Sequence, residues 1–192
     1  MPHSFGAYLI LYIMVDLFNY TRRASSVAHI GAIDLGGDNP IRIQSMTTTN
    51  TNDTEACVRQ AEEIIKAGGE LVRFTTQGSR EAENMKNINA GIRADGYQTP
   101  LVADVHFNPN VADVAALYCE KVRINPGNYV DPARKFIKQE YTDEEYAHEL
   151  QKIEDRFVPF LNICKEHHTA IRIGVNHGSL SDRIRNRYGD TP

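Results

Sequence analysis

Five short segments alternate apolar and polar side chains, and this alternation restricts the fold more than any other feature of the sequence. In the second segment, Val72 and Phe74 alternate with Arg73 and Thr75. Successive side chains of a β-strand point to opposite faces of the sheet, so each predicted strand has one apolar and one polar face. The predicted strands are residues 41–46, 71–76, 101–107, 121–126 and 170–175.

Stretches with helical periodicity separate these strands, as in Val58, Ala61 and Ile65, which predicts alternating strands and helices. Such alternation indicates a parallel sheet with right-handed crossovers. Pro159 should break or bend the helix in the long connection 127–169. Polar residues that can cap first-turn amides predict helix starts, and glycines that take the left-handed conformation predict helix ends. The predicted starts are Asn52, Asn108, Thr142 and Ser179, and the predicted ends are residues 68–69 and 95–96.

The polar faces of the strands decide between two parallel architectures. An open doubly wound sheet has central strands that are apolar on both faces. In a closed barrel, helices cover the outer face, and the inner face opens at the carboxyl ends of the strands. We therefore predict an α/β fold that is a partial TIM-type (β/α)8 barrel, with about five βα units present.

The predicted inner face collects residues whose chemistry suits an anion. Three arginines outnumber one aspartate, and the planar guanidinium matches the oxygens of a phosphate group. Arginines that point into a barrel are costly unless an anion compensates them. A phosphate or diphosphate ligand is the chemical prediction. The candidate residues are Arg73, Asp104, His106, Arg123, Asn125, Arg172 and Asn176, with Gln44 and Arg42 as further candidates from the first strand.

Several candidates also have an ordinary structural interpretation. Asp104 could neutralise and orient a neighbouring arginine, and His106 could be a hydrogen-bonded core histidine. The run 125–128 is first of all a turn signal. Three cysteines, Cys57, Cys119 and Cys164, have no Cys-x-x-Cys spacing and fall where packing residues are expected.

Composition and charge exclude some partners. The 192 residues carry 21 Lys+Arg against 25 Asp+Glu, a net charge of -4, so no overall basic field favours nucleic acid. The apolar run 8–15 is far shorter than the roughly 20 residues of a membrane helix. We expect no membrane association and a reducing cytoplasm. Residues 1–38 are predicted to be an N-terminal extension and lead-in, in which 1–13 could precede the natural start, and residues 39–192 to belong to the barrel.

Four linked motifs resemble one enzyme family. They are PIRIQSM at 40–46, PLVADVHF at 100–107, VRINPGN at 122–128 and IRIGVN at 171–176, followed by GSL at 178–180. Their order and chemistry are similar to those of the 4-hydroxy-3-methylbut-2-enyl diphosphate synthases. The resemblance runs from about residue 16 to residue 192 and is to the longer form of the family, which carries an extra middle domain.

The resemblance implies an oxidoreductase of the non-mevalonate pathway of isoprenoid (terpenoid) biosynthesis. Its substrate would be 2-C-methyl-D-erythritol 2,4-cyclodiphosphate and its product 4-hydroxy-3-methylbut-2-enyl diphosphate. It also implies ferredoxin or flavodoxin as electron donor, and a 4Fe-4S cluster held by a separate C-terminal domain, with no metal ligand in this chain. By motif position the expected diphosphate ligands are Arg73, His106, Arg123 and Asn125, and the expected further pocket contacts are Asp104, Arg172 and Asn176. No catalytic residue can be assigned.

The number of predicted strands is too small for a complete barrel. A complete (β/α)8 barrel has eight strands in about 250 residues, so five predicted strands indicate the N-terminal part of such a barrel, inactive alone. Two alternatives stay open from the residues: a pterin-binding transferase-like barrel with the same cationic funnel, and a non-catalytic phosphate-binding module.

Overall fold

A five-stranded parallel sheet forms the centre of the computed structural model, which describes residues 23–105, 108–128 and 141–189. The strands lie side by side in chain order, as successive strands of a barrel do. The α/β partial-barrel prediction is confirmed, although each strand is shorter than its predicted segment, and the sheet is not closed within the described residues. The strands are β3 (Gln44–Met46), β4 (Leu71–Thr75), β5 (Leu101–Asp104), β6 (Lys121–Ile124) and β7 (Ala170–Ile173).

Helices cover one face of this sheet, and that face is the apolar one. Val72, Phe74 and Val122 are fully buried there, in contact with the helices that follow the strands. The prediction from the alternation is therefore confirmed, and the polar side chains point to the opposite, inner face. The helices are α1 (Thr54–Lys66), α2 (Ser79–Ala94), α3 (Pro109–Ala116), α4 (Asp143–Glu166) and α5 (Asp182–Tyr188).

Two predicted helix starts are correct and two are displaced. Asn108 caps α3, and Thr142 caps α4. At α1 the cap is Asp53, whose carboxylate accepts from the amide of Ala56 at 3.0 Å. Asn52 is one residue too early, and its amides donate instead to the Asn50 side chain. Ser179 lies in a short 3-10 turn, and α5 starts only after Ser181.

The helix α4 is 24 residues long and continues through Pro159, so the predicted break is absent. Proline removes the amide that would bond to the carbonyl four residues earlier. Both Pro159 and Asp155, which carries that carbonyl, are exposed, so water can replace the missing bond. No helix in the described ranges, α4 included, has the length and apolar character needed to cross a membrane.

A short antiparallel hairpin lies at the amino-terminal end of the barrel strands. Its strands are β1 (Ala28–Ile30) and β2 (Ile33–Leu35). Ile30 is 1% exposed and packs with Leu71 and Val102, the first inner residues of β4 and β5. Because apolar side chains fill this end, the polar part of the inner face lies toward the carboxyl ends of the strands.

Candidate anion-binding site

Asp104 is the centre of a charged cluster on the inner face. It is 1% exposed, and its carboxylate accepts hydrogen bonds from Arg73 Nη2 and from Arg123 Nη1, the latter at 3.3 Å. The register brings the three together, because Asp104 pairs with Thr75 on β4 and with Arg123 on β6. The carboxylate thus holds two guanidinium groups side by side at the carboxyl end of the sheet.

Gly174 also contacts the Arg123 side chain and helps to fix its position. Arg123 Nη2 donates to the Gly174 carbonyl at 2.5 Å. A Cβ atom at position 174 would overlap Arg123 Nε, so no other residue fits there while the arginine keeps this position. Sequence reasoning did not single out this glycine for a role, although the alternation in IRIGVN places it on the inner face.

Unused donors remain around the cluster. Arg73 Nε is buried and has no hydrogen-bond partner among the described residues. Arg172 is exposed and lies directly opposite Arg123 in the β6–β7 register. Like charges in such positions repel each other, and a buried donor without a partner is costly. An anion above the cluster would relieve both.

Asn125 and Asn176 hold the loop beside the cluster. Asn125 donates to the carbonyl of Ser179 at 3.1 Å and accepts from the amide of Gly127 at 3.2 Å. Asn176 accepts from the amide of Ser179 at 3.0 Å. The bond from Asn125 to Ser179 joins the ends of β6 and β7, and the other two bonds fix the turn after each strand. The structure therefore gives both asparagines a positioning contact.

Lys121 is a fourth cation on the inner face, and sequence reasoning missed it. It is 7% exposed and sits one inner position before Arg123 on β6. Burial, reinforced by the charges of Arg172 and Arg73, lowers the pKa of its ammonium group. The alternation that selected Arg123 and Asn125 also selects Lys121, so the signal was present in the sequence.

The remaining candidates lie elsewhere. Arg42 is at the amino-terminal end of the sheet, where it donates to Glu70 at 2.8 Å and to the Asp34 carbonyl at 2.9 Å, so it is not a pocket residue. Gln44 is half-buried in β3. His106 lies outside the described residues.

The cysteines do not form a metal site. Cys57, Cys119 and Cys164 are buried in the apolar core, and no cluster of metal-ligating side chains occurs in the described ranges. Burial raises the pKa of all three thiols, that of Cys164 to about 12. The thiolates that an iron–sulfur cluster requires are therefore disfavoured at these positions.

Fold and site together define the class of the protein: a parallel (β/α) barrel domain with a cluster of cationic side chains on the inner face of its strands. Barrel enzymes bind phosphate groups at the carboxyl ends of such strands. The chain belongs to the GcpE TIM-barrel domain family, which matches residues 25–192.

Curated relatives match most of this chain with part of their own length. The chain is 76% identical over 178 residues to a 4-hydroxy-3-methylbut-2-en-1-yl diphosphate synthase (flavodoxin) of Phocaeicola vulgatus, covering 93% of this chain and 29% of the relative. A protein of the same name from Bacteroides thetaiotaomicron shows the same identity and coverage. One from Akkermansia muciniphila is 52% identical over 175 residues, covering 91% of this chain and 30% of the relative. The chain thus spans less than a third of the length of these relatives.

Proposed function

We propose that this chain is the substrate-binding barrel portion of an iron–sulfur reductase that converts 2-C-methyl-D-erythritol 2,4-cyclodiphosphate to 4-hydroxy-3-methylbut-2-enyl diphosphate. The family membership and the names of the relatives support the reaction. The observation that carries the role of this chain is the pair of guanidinium groups that Asp104 holds side by side. Together they offer fixed, positively charged donors to a diphosphate.

The residues act by holding and neutralising the ligand. Arg73 and Arg123 are the principal diphosphate contacts, and Arg172 joins them from β7. Asp104 fixes the first two arginines before the ligand arrives, which lowers the entropy lost on binding. His106 and Asn125 are proposed as further ligand contacts, and Asn176 orients the loop after β7.

The electron chemistry lies outside these residues. A 4Fe-4S cluster supplies single-electron transfer when bound, but the buried, widely separated cysteines do not fit it. We propose that other parts of the protein bind the cluster. Flavodoxin, which the names of the relatives specify, or ferredoxin is the proposed electron donor. The cytoplasm is the proposed location, since free cysteines fit a reducing compartment.

The test uses the full-length protein with its cluster, comparing Arg123→Ala with Arg59→Ala, a variant of an exposed arginine on the outer helix α1. Loss of a charged hydrogen-bond donor should weaken cyclodiphosphate binding at least about tenfold. The iron content should not change, and Arg59→Ala should bind like the wild type. Wild-type affinity in Arg123→Ala would contradict the proposed site. A wild-type protein that binds the cyclodiphosphate but never reduces it would indicate the non-catalytic module.

A further inference from the structure

The inner face of β6 carries a cation, Lys121, below the arginine cluster, and no described residue supplies it with a counter-charge. Lys121 pairs in register with Val102 on β5 and with Ala170 on β7. Neither neighbour can accept a hydrogen bond through its side chain. Within residues 23–105, 108–128 and 141–189, the Lys121 ammonium makes no ion pair or side-chain hydrogen bond.

Among the described residues, the charged groups that face Lys121 from the other strands either carry the same charge or are already paired with an arginine. Arg73 on β4 and Arg172 on β7 oppose its charge. Asp104 on β5 is shared by Arg73 and Arg123. A lysine that is only 7% exposed and lies among like charges is costly, and a leucine or methionine would fill the same space without that cost.

The position is within reach of a ligand in the pocket. Two residues along a strand advance about 6.6 Å, so Lys121 lies one layer deeper than Arg123. Its flexible four-carbon stem lets the ammonium rise toward that layer. The apolar residues Ile30, Leu71 and Val102 close the other end of the interior, so the open direction for the amine is toward the pocket.

We infer that Lys121 is a further ligand-binding residue, which contacts an oxyanion at the base of the pocket from below while the arginines hold it from above. The inference rests on the proposed function and assigns to Lys121 the innermost phosphate oxygen of the cyclic diphosphate. The charge of Lys121 is uncompensated in the ligand-free protein, and the bound anion compensates it.

The experiment uses the full-length protein, with inorganic diphosphate and the cyclodiphosphate as calorimetric probes. Lys121→Met keeps the length of the side chain and removes the charge. Lys66→Met is the matched control, because Lys66 is exposed on α1 and paired with Glu62 at 2.7 Å. We expect Lys121→Met to bind both probes about tenfold more weakly or worse, and its ligand-free form to melt at a higher temperature than the wild type. Lys66→Met should change neither affinity nor melting temperature in this way.

Weaker binding together with a higher melting temperature of the ligand-free protein distinguishes a ligand-binding lysine from a structural one, whose loss would lower the melting temperature. Lys121→Met with an affinity within twofold of the wild type, or with a lower melting temperature without ligand, would overturn the inference. Arg123→Ala, measured in parallel, separates this failure from failure of the proposed function. If Arg123→Ala binds weakly and Lys121→Met binds like the wild type, only the role of Lys121 is refuted. If both variants bind like the wild type, the proposed diphosphate site itself is refuted.

Discussion

Gly174 leaves the space that the Arg123 side chain occupies, so the geometry of the anion site depends on a residue without a side chain. The backbone at Gly174 is not in the left-handed region, and an alanine would therefore not strain the backbone. The conflict is purely steric, since the added Cβ would overlap the Arg123 guanidinium. Arg123 would have to leave both Asp104 and the Gly174 carbonyl.

Gly174→Ala should weaken cyclodiphosphate binding at least about tenfold, because it removes an aligned, charged donor from the site. Gly78→Ala is a suitable control, since the nearest atom to an added Cβ there is 4.0 Å away. Calorimetric titration of the full-length variants measures the difference. Unchanged affinity in Gly174→Ala would mean that the position of Arg123 does not matter for binding.

The hairpin β1–β2 decides which end of the inner face is open. Ile30 fills the amino-terminal end together with Leu71 and Val102, and without it water could enter the interior from below. Water there would screen the field of the cations around Asp104. The hairpin therefore contributes to the site although none of its residues contacts the charged cluster.

Ile30→Ala should lower the local opening free energy of β4 and β5 by about 2–5 kcal/mol, the usual cost of removing a buried isoleucine side chain. Amide hydrogen exchange of Leu71 and Val102 in the full-length protein measures it. Val27→Ala, at a position 44% exposed, should change exchange very little. Equal protection in Ile30→Ala and wild type would show that the hairpin does not seal this end.

Elements with a regular pattern were predictable, and those that depend on tertiary contacts were not. The five strands and their inner faces follow from the alternation, because burial of one face imposes a period of two. Asp53 was missed as a cap because Asn50, Asn52 and Asp53 all suit that role, and only the fold selects among them. The three-residue strands of the hairpin are too short to show a period.

In the site, too, residues in a regular strand pattern were predictable and long-range contacts were not. Arg73, Asp104 and Arg123 were found because their inner positions are in the strand pattern. Whether Asp104 neutralises the arginines or touches the ligand was left open, and the structure shows the bonds to both arginines. The contacts of Asn125 with Ser179 span 54 residues, and no local pattern reveals them.

At the scale of the whole molecule, the sheet has two edges that the described residues do not cover. Among the residues that the structure describes, β3 and β7 each pair on one side only. Apolar side chains are exposed beside them: Ile41 is 83% exposed, and Ile173 is 54% exposed. Unpaired strands with apolar side chains are templates for association. In a closed barrel, further strands would pair with both edges.

The 192-residue chain expressed alone should therefore self-associate through these edges, and charges placed there should reduce the association. Ile173→Lys combined with Ile43→Lys, which lies at the opposite edge, should shift the distribution in sedimentation velocity toward the monomer, because a lysine on an edge strand opposes pairing with a second chain. Leu150→Lys is the control: Leu150 is 48% exposed on α4, away from the strands, and its substitution should leave the distribution unchanged. If the chain is monomeric without any substitution, or if Leu150→Lys is as effective as the edge variant, association does not arise from the open sheet.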